Sequence, residues 1–198
     1  ASENVKPVNT EKPLQVKSTP AQKPEENMDK TSKRPVAGDN MEPAIKKFLG
    51  DVLKAMEERR SIRKYKADMV PQEILDQIIE AGLYAASGKG TQNTIIIQVT
   101  KKELRDKIAE MNRKIGGWEE GFDPFYGAPV VLVVLAEKDW PTHVYDGSLV
   151  MGNLMLAAHT EGIGSCWIHR AKEEFESEEG KQILSDLGVT GEYEGIGH

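Results

Sequence analysis

Arg59-Arg60-Ser61-Ile62-Arg63-Lys64 sets a run of cations around one hydroxyl in a chain with 26 Lys and Arg against 32 Asp and Glu. Arginine offers a planar fork for bidentate contact with phosphate and serine adds a neutral donor, so these residue types suit a phosphomonoester. The run also follows an expected helix, where cations complement the macrodipole, and that plainer role stays open. A second stretch, Ser87-Gly88-Lys89-Gly90-Thr91-Gln92, joins an expected helix to an expected strand. Its glycines let backbone amides approach a ligand closely. Neither the Walker P-loop pattern nor a GxGxxG opening a helix after a strand is present, and an ordinary connection is the alternative. A third stretch, Gly162 to Arg170, ends in Ile168-His169-Arg170. At a strand end His169 and Arg170 can donate hydrogen bonds to an electron-rich ring, or form a plain surface pair. Cys166 lacks a neighbouring base and reads as a small core residue.

Other chemistries are poorly supported. The single cysteine excludes an intramolecular disulfide framework, a redox CxxC and a Cys-rich zinc site. Four histidines without HExxH or paired-His spacing give a metal site little support. No GxSxG elbow or Ser/His/Asp ordering is visible. The net charge of −6 argues against broad binding to nucleic acid or anionic lipid. No apolar run approaches the roughly 18 residues of a membrane span.

The elements that must position these stretches follow from periodicity. Residues 1–40 hold five of the ten prolines, no aromatic residue and interleaved charges. They are expected to form a disordered tail or linker ahead of one folded unit over 41–198. Apolar spacing predicts helices over 42–58, after Pro71, and over 101–111. The β-branched run 94–100 and the apolar run 130–136 read as buried strands. Between them, 116–129 is a long excursion with three aromatics and Tyr126, the kind of loop that is usually functional or mobile. Residues 144–160 read as a central helix apolar on nearly all sides. A short strand over 163–168, two helical pieces around Ser177 and a strand from Tyr193 complete an α+β or mixed α/β sandwich.

Taken together these segments resemble the nitroreductase family of FMN-dependent oxidoreductases from about Leu53 to Gly197. The likeness is carried by 59–65, the 86–92 loop, Asp123-Pro124-Phe125-Tyr126-Gly127-Ala128-Pro129, the stretch Tyr145 to Leu154, and Gly162 to Arg170 with Phe175 to Gly180. The resemblance implies an α/β sandwich with a central mixed sheet flanked by helices, built as an intertwined homodimer with FMN at the subunit interface. It makes Arg59, Ser61 and Arg63, with Arg60 nearby, the phosphate and ring-edge clamp. Ser87, Gly88, Lys89, Gly90 and Gln92 correspond to the loop touching the flavin and ribityl chain. Many relatives carry Asn at the position of Gly90, so a side-chain contact is expected to be absent there. Ile168, His169 and Arg170 correspond to the stretch along the isoalloxazine, and Phe125 or Tyr126 to a substrate cover.

The implied reaction is ping-pong electron transfer from NADH or NADPH to a nitroaromatic, quinone or similar acceptor. The flavin carries the chemistry and the protein orients and tunes it, so no catalytic side chain is expected. Family members usually continue past the Tyr193 strand into a further strand and a C-terminal arm with cations for the FMN phosphate. A protein ending at His198 would lack these and leave a sheet edge open. The alternative is therefore a truncated, non-catalytic binding or scaffold module; other chemistries of the same fold, such as dehalogenation, form a third reading. A cytoplasmic location is expected, with export after signal cleavage as the alternative.

Overall fold

The computed structural model describes residues 15–18 and 43–198. Strands β1 (Gln15–Ser18), β2 (Thr94–Val99), β3 (Val131–Glu137) and β4 (Tyr193–Gly197) form one sheet in that order. Every pairing among them is antiparallel, which corrects the expected mixed sheet. The unbroken apolar runs of β2 and β3 reflect burial on both faces, and two-sided burial does not determine strand direction.

Each face of the sheet has its own core. Ile95, Ile97 and Val99 of β2, with Val131, Val133 and Leu135 of β3, pack on one side. There they meet α3 (Lys102–Gly116), α5 (Ala171–Glu176) and α6 (Glu178–Asp186) through Ile108, Phe175 and Ile183. Ile96, Val134 and Ala136 point the other way, onto α2 (Gln72–Leu83) and α4 (His143–Thr160). This alternation follows the two-residue period of strands and makes a three-layer α+β sandwich. Gln98, buried on β2, trades amide hydrogen bonds with Gln72 of α2. Helix α1 (Pro43–Glu58) lies ahead of these layers in sequence and contacts α4.

Three local results depart from the sequence reading. Helix α3 runs on to Gly116, where Gly117 takes a left-handed conformation (φ 68°) and caps the carbonyls of Arg113 and Lys114. Residues 163–168 form no strand. They touch one neighbour at Ser165, bridged in parallel to Ser61, and another at Ile168, whose N–H and C=O exchange bonds with His198. Two partners each met at one point do not make a ladder. The tail expectation for 1–40 lies largely outside the described residues, but Gln15–Ser18 is ordered as β1, with Val16 opposite Ile97. It occupies an edge of β2 that would otherwise present unpaired backbone groups, and Lys17 pairs with Asp76 of α2. No helix among the described residues is long and apolar enough to cross a membrane.

Candidate functional site

The cationic run leaves the end of α1 in extended form. The Ile62 N–H donates to the Ser165 carbonyl at 2.9 Å, next to the Ser61–Ser165 bridge. A Cβ on Gly164 would stand 3.0 Å from the Ile62 side chain, so glycine permits this close approach. The structure thereby brings the first and third stretches into contact although they are far apart in sequence.

Within the first stretch the side chains divide. Arg60 folds back, its Nη1 donating to the carbonyls of Glu57 and Arg59 at the helix end. It takes the helix-terminus role. Arg59 instead places a buried Nη1 with no hydrogen-bond partner. A buried guanidinium nitrogen without an acceptor is costly, and an anion would relieve that cost. Ser61 and Arg63 are exposed beside it in sequence.

The 87–92 loop contains a single 3-10 turn at Gly88–Gly90, and Lys89 (φ 53°) and Gln92 (φ 51°) both adopt left-handed conformations. Such strain in residues other than glycine gathers at binding sites. Ser87 Oγ accepts from the Gln92 N–H at 2.9 Å, and Gln92 Nε2 donates to the Ala85 carbonyl at 3.4 Å. The Gly88 N–H donates to Asp146 of α4, so that amide is already taken. A Cβ on Gly90 would meet nothing within 4 Å, leaving open space beside the exposed Lys89. Asn93, just after the loop, is buried with both side-chain amide atoms lacking partners.

In the third stretch Ile168 is half-buried and His169 exposed. Arg170 (φ 85°) holds its guanidinium 4.4 Å from the Trp118 ring, a cation–π contact that gives it a structural task in the long excursion. A buried network lies beneath. Asn112 Nδ2 donates to the His169 carbonyl at 2.8 Å and to Glu174, and Glu174 Oε2 stands 2.7 Å from His198 Nε2. Glu174 and Asn112 are fully buried.

The excursion itself is organised by Asp123. Its carboxylate accepts from the N–H groups of Phe125 (3.0 Å) and Gly127 (2.7 Å) and pairs with the mostly buried Arg105. Phe125 is consequently a core residue, packed between the Arg105 guanidinium and the His198 ring. Tyr126 (φ 54°) stays at the surface, edge-on to Phe122. Of the two expected cover residues, only Tyr126 is placed outward.

A cleft of about 460 Å³ borders the first and third stretches, lined by Tyr65, Phe125, Leu132, Met151, Cys166 and Ile168 among others. Tyr65 donates its hydroxyl to the Ile62 carbonyl at 2.6 Å, and burial pushes its pKa up to about 12. No cluster of three or more His, Cys, Asp or Glu able to hold a metal occurs among the described residues.

Sequence reasoning passed over Asn112, Glu174 and Arg105, and gave no site role to Asp146 or Tyr65, which lie in stretches that carry the family likeness. One signal was available for Asp146, an acid in an otherwise apolar helix. For the buried network none was, since its members are separated by tens of residues.

The sandwich is an α+β domain with a cationic segment at one edge, and comparison makes its class specific. Residues 56–196 match the profile of the Nitroreductase family, and the chain belongs to that family. It is 34% identical over 126 residues to a Methanothermobacter thermautotrophicus protein provisionally named an NADH dehydrogenase/NAD(P)H nitroreductase, covering 59% of this chain and 60% of that protein. Over 89 residues it is 38% identical to an FMN reductase (NAD(P)H) of Bacillus subtilis, covering 45% of this chain and 33% of that one. The chain therefore spans between a third and about three fifths of these two relatives. The crystal structure of a nitroreductase with bound FMN from Bacteroides fragilis superposes with a TM-score of 0.67 at 28% identity, covering 74% of this chain and 84% of that chain. A nitroreductase with bound FMN from Desulfitobacterium hafniense gives 0.67 at 26% identity, covering 74% and 85%.

Proposed function

We propose that this domain is an FMN-dependent oxidoreductase that takes electrons from NADH or NADPH and passes them to a nitroaromatic, quinone or similar electron-poor acceptor in ping-pong order. The observation that carries the reading is the buried, partnerless Nη1 of Arg59, in a cationic segment bonded to the Gly162–Arg170 stretch. An anionic cofactor supplies the acceptor that this nitrogen lacks. Membership of the Nitroreductase family and the FMN carried by the Bacteroides fragilis and Desulfitobacterium hafniense structures support FMN as that cofactor.

Arg59, Ser61 and Arg63 hold the phosphate and ring edge, by charge-assisted and neutral hydrogen bonds. Arg60 acts mainly at the helix end. Ser87, Gly88, Lys89, Gly90 and Gln92 shape the wall facing the flavin and ribityl chain, with open space at Gly90. Ile168 and His169 border the ring, and Arg170 fixes their backbone from its place on Trp118. Bound FMN supplies the hydride and electron transfer for which no side chain here is equipped. The protein's part is to bind, orient and exclude water, with Tyr126 as the outward-facing cover.

A homodimer suits the surface. Leu53 (61% exposed) and Met56 (56%) on α1, and Tyr145 (71%) and Leu149 (51%) on α4, stand outward at helical spacing. Large apolar side chains left in such groups mark interaction faces.

The test is an absorption spectrum of the purified protein after FMN is added and the excess removed, followed by anaerobic NADH or NADPH, with sedimentation on the same sample. Retained flavin bands that bleach are expected. Arg59→Ala should weaken FMN binding about tenfold or more, as one charge-assisted contact contributes ~1.5–3 kcal/mol. No retained flavin in the wild-type protein would refute the oxidoreductase reading and favour a non-catalytic binding module.

A further inference from the structure

We infer that Asp146 is a positioning residue whose buried carboxylate clamps the 87–92 loop in its flavin-receiving shape and so sets flavin affinity through Gly88. The inference rests on the FMN reading above.

Asp146 is 3% exposed in the first turn of α4, where the helix's N-terminal partial charge favours an anion. Both carboxylate oxygens are committed: Oδ1 accepts the Gly88 N–H at 2.9 Å and Oδ2 accepts the Thr142 hydroxyl at 2.7 Å. The Thr142 side chain is thereby held against the loop. A Cβ at Gly88 would lie 2.2 Å from Thr142 Oγ1 and 3.1 Å from Trp140 Nε1, so the loop docks here as bare backbone. Lys89 Nζ stands 5.9 Å from the Trp140 ring centroid, adding a second contact from the same side.

Directly beyond the clamp come the two left-handed non-glycine residues, Lys89 and Gln92. Such conformations persist only where the surroundings over-determine them. From within the loop, Ser87 Oγ holds the Gln92 N–H. From outside it, Asp146 Oδ1 supplies the acceptor for the Gly88 amide. Removing that acceptor leaves a half-buried N–H unmet and lets the turn relax toward ordinary backbone angles, so part of the flavin's binding energy is then spent on restoring it. Asn at this position keeps an oxygen for Gly88 and can donate its NH₂ to the Thr142 hydroxyl, so it should largely restore the clamp.

The experiment titrates FMN and riboflavin into wild type and the variants Asp146→Ala, Asp146→Asn, Thr142→Val and Arg59→Ala, by flavin fluorescence. Hydrogen exchange of the Gly88 amide is followed in the flavin-free proteins. Riboflavin lacks the phosphate and so separates the loop's contribution from the phosphate contact of the cationic run. Asp146→Ala is expected to weaken both ligands alike, by about tenfold, the equivalent of one charge-assisted hydrogen bond, and to lose Gly88 protection. Asp146→Asn should stay within about threefold of wild type, the difference between a charge-assisted and a neutral hydrogen bond. Thr142→Val, which keeps its shape and loses only the hydroxyl, should fall between them and serves if the alanine variant does not fold. Arg59→Ala should weaken FMN more than riboflavin, which lacks the phosphate.

Wild-type riboflavin and FMN affinity in Asp146→Ala, or in Thr142→Val if only that variant folds, would overturn the clamp. If Arg59→Ala still weakened FMN in that case, the cofactor reading would stand without it. A wild-type protein that binds no flavin would end both. A lowered melting temperature with unchanged riboflavin affinity and Gly88 exchange would reduce Asp146 to a structural residue and also refute the proposal.

Discussion

Asn112→Ala removes the donor on which the floor beneath Ile168–Arg170 depends. Its Nδ2 serves two acceptors, the His169 carbonyl and the Glu174 carboxylate, in a fully buried place. Truncation strands both. An unmet buried backbone carbonyl costs about 1–2 kcal/mol and an unmet buried carboxylate oxygen about 2–3 kcal/mol, so the loss is about 3–5 kcal/mol. At roughly 2–4 °C per kcal/mol for a domain of this size, the melting temperature should fall by about 6–20 °C. A water filling the vacated space would move the result to the low end. Asn112→Asp should be worse than Ala at neutral pH, because it sets a second carboxylate against Glu174 as well as deleting the donor. The assay is reversible thermal unfolding of wild type and both variants, with Glu110→Gln as control. Glu110 is exposed and pairs with Arg113 on the same helix, so its loss should cost little. A drop under about 3 °C for Asn112→Ala, about 1 kcal/mol on that scale, or Asp proving milder than Ala, would refute the network as the support of this stretch.

Two further predictions concern pH. Burial opposes ionisation of Glu194, but Lys172, 3.0 Å away, and His143 together hold its carboxyl below its ordinary value of 4.5. A depressed carboxylate stabilises the fold above the unfolded value and loses that contribution as pH falls from about 4.5 through the folded value. Glu194→Gln should therefore flatten the acid limb of melting temperature against pH; an unchanged limb would show that the pairing contributes nothing. Tyr65, raised from 10.0 to about 12 by burial, holds its proton more tightly folded than unfolded. Its contribution is complete below pH 10 and lost between 10 and 12, so Tyr65→Phe should shallow the alkaline limb in that window. Phenolate absorbance from Tyr65 appearing near pH 10 in the folded protein would contradict this.

Much of the architecture was legible from local pattern. Pro71 followed by the periodic Ile74, Leu75, Ile78 and Ile79 announces α2, and Ser177 divides α5 from α6 by capping the latter, its Oγ accepting the Gly180 N–H at 3.1 Å. The runs in β2 and β3 marked buried strands because two-sided burial leaves no polar alternation. Their antiparallel direction left no such mark, since either direction buries the same side chains. Nor could composition tell that Gln15–Ser18 would join the sheet, because an edge strand is decided by the open edge it meets.

For the candidate site, residue type named the cations, the glycine loop and the Ile168–Arg170 stretch, but not which side chains remain available. Arg60 turns back to its helix, Arg170 to Trp118, Phe125 to the core and the Gly88 amide to Asp146. Arg59 alone among the arginines of the cationic run keeps a buried nitrogen without an acceptor. Local pattern was enough for the helices, the buried strands β2 and β3 and the chemically capable segments, because those depend on neighbours within a few positions along the chain. Only the tertiary structure decided strand direction, the Ser61–Ser165 junction and the Asn112–Glu174–His198 floor. Each of these is a contact between distant residues, whose energy depends on what the rest of the fold buries around it.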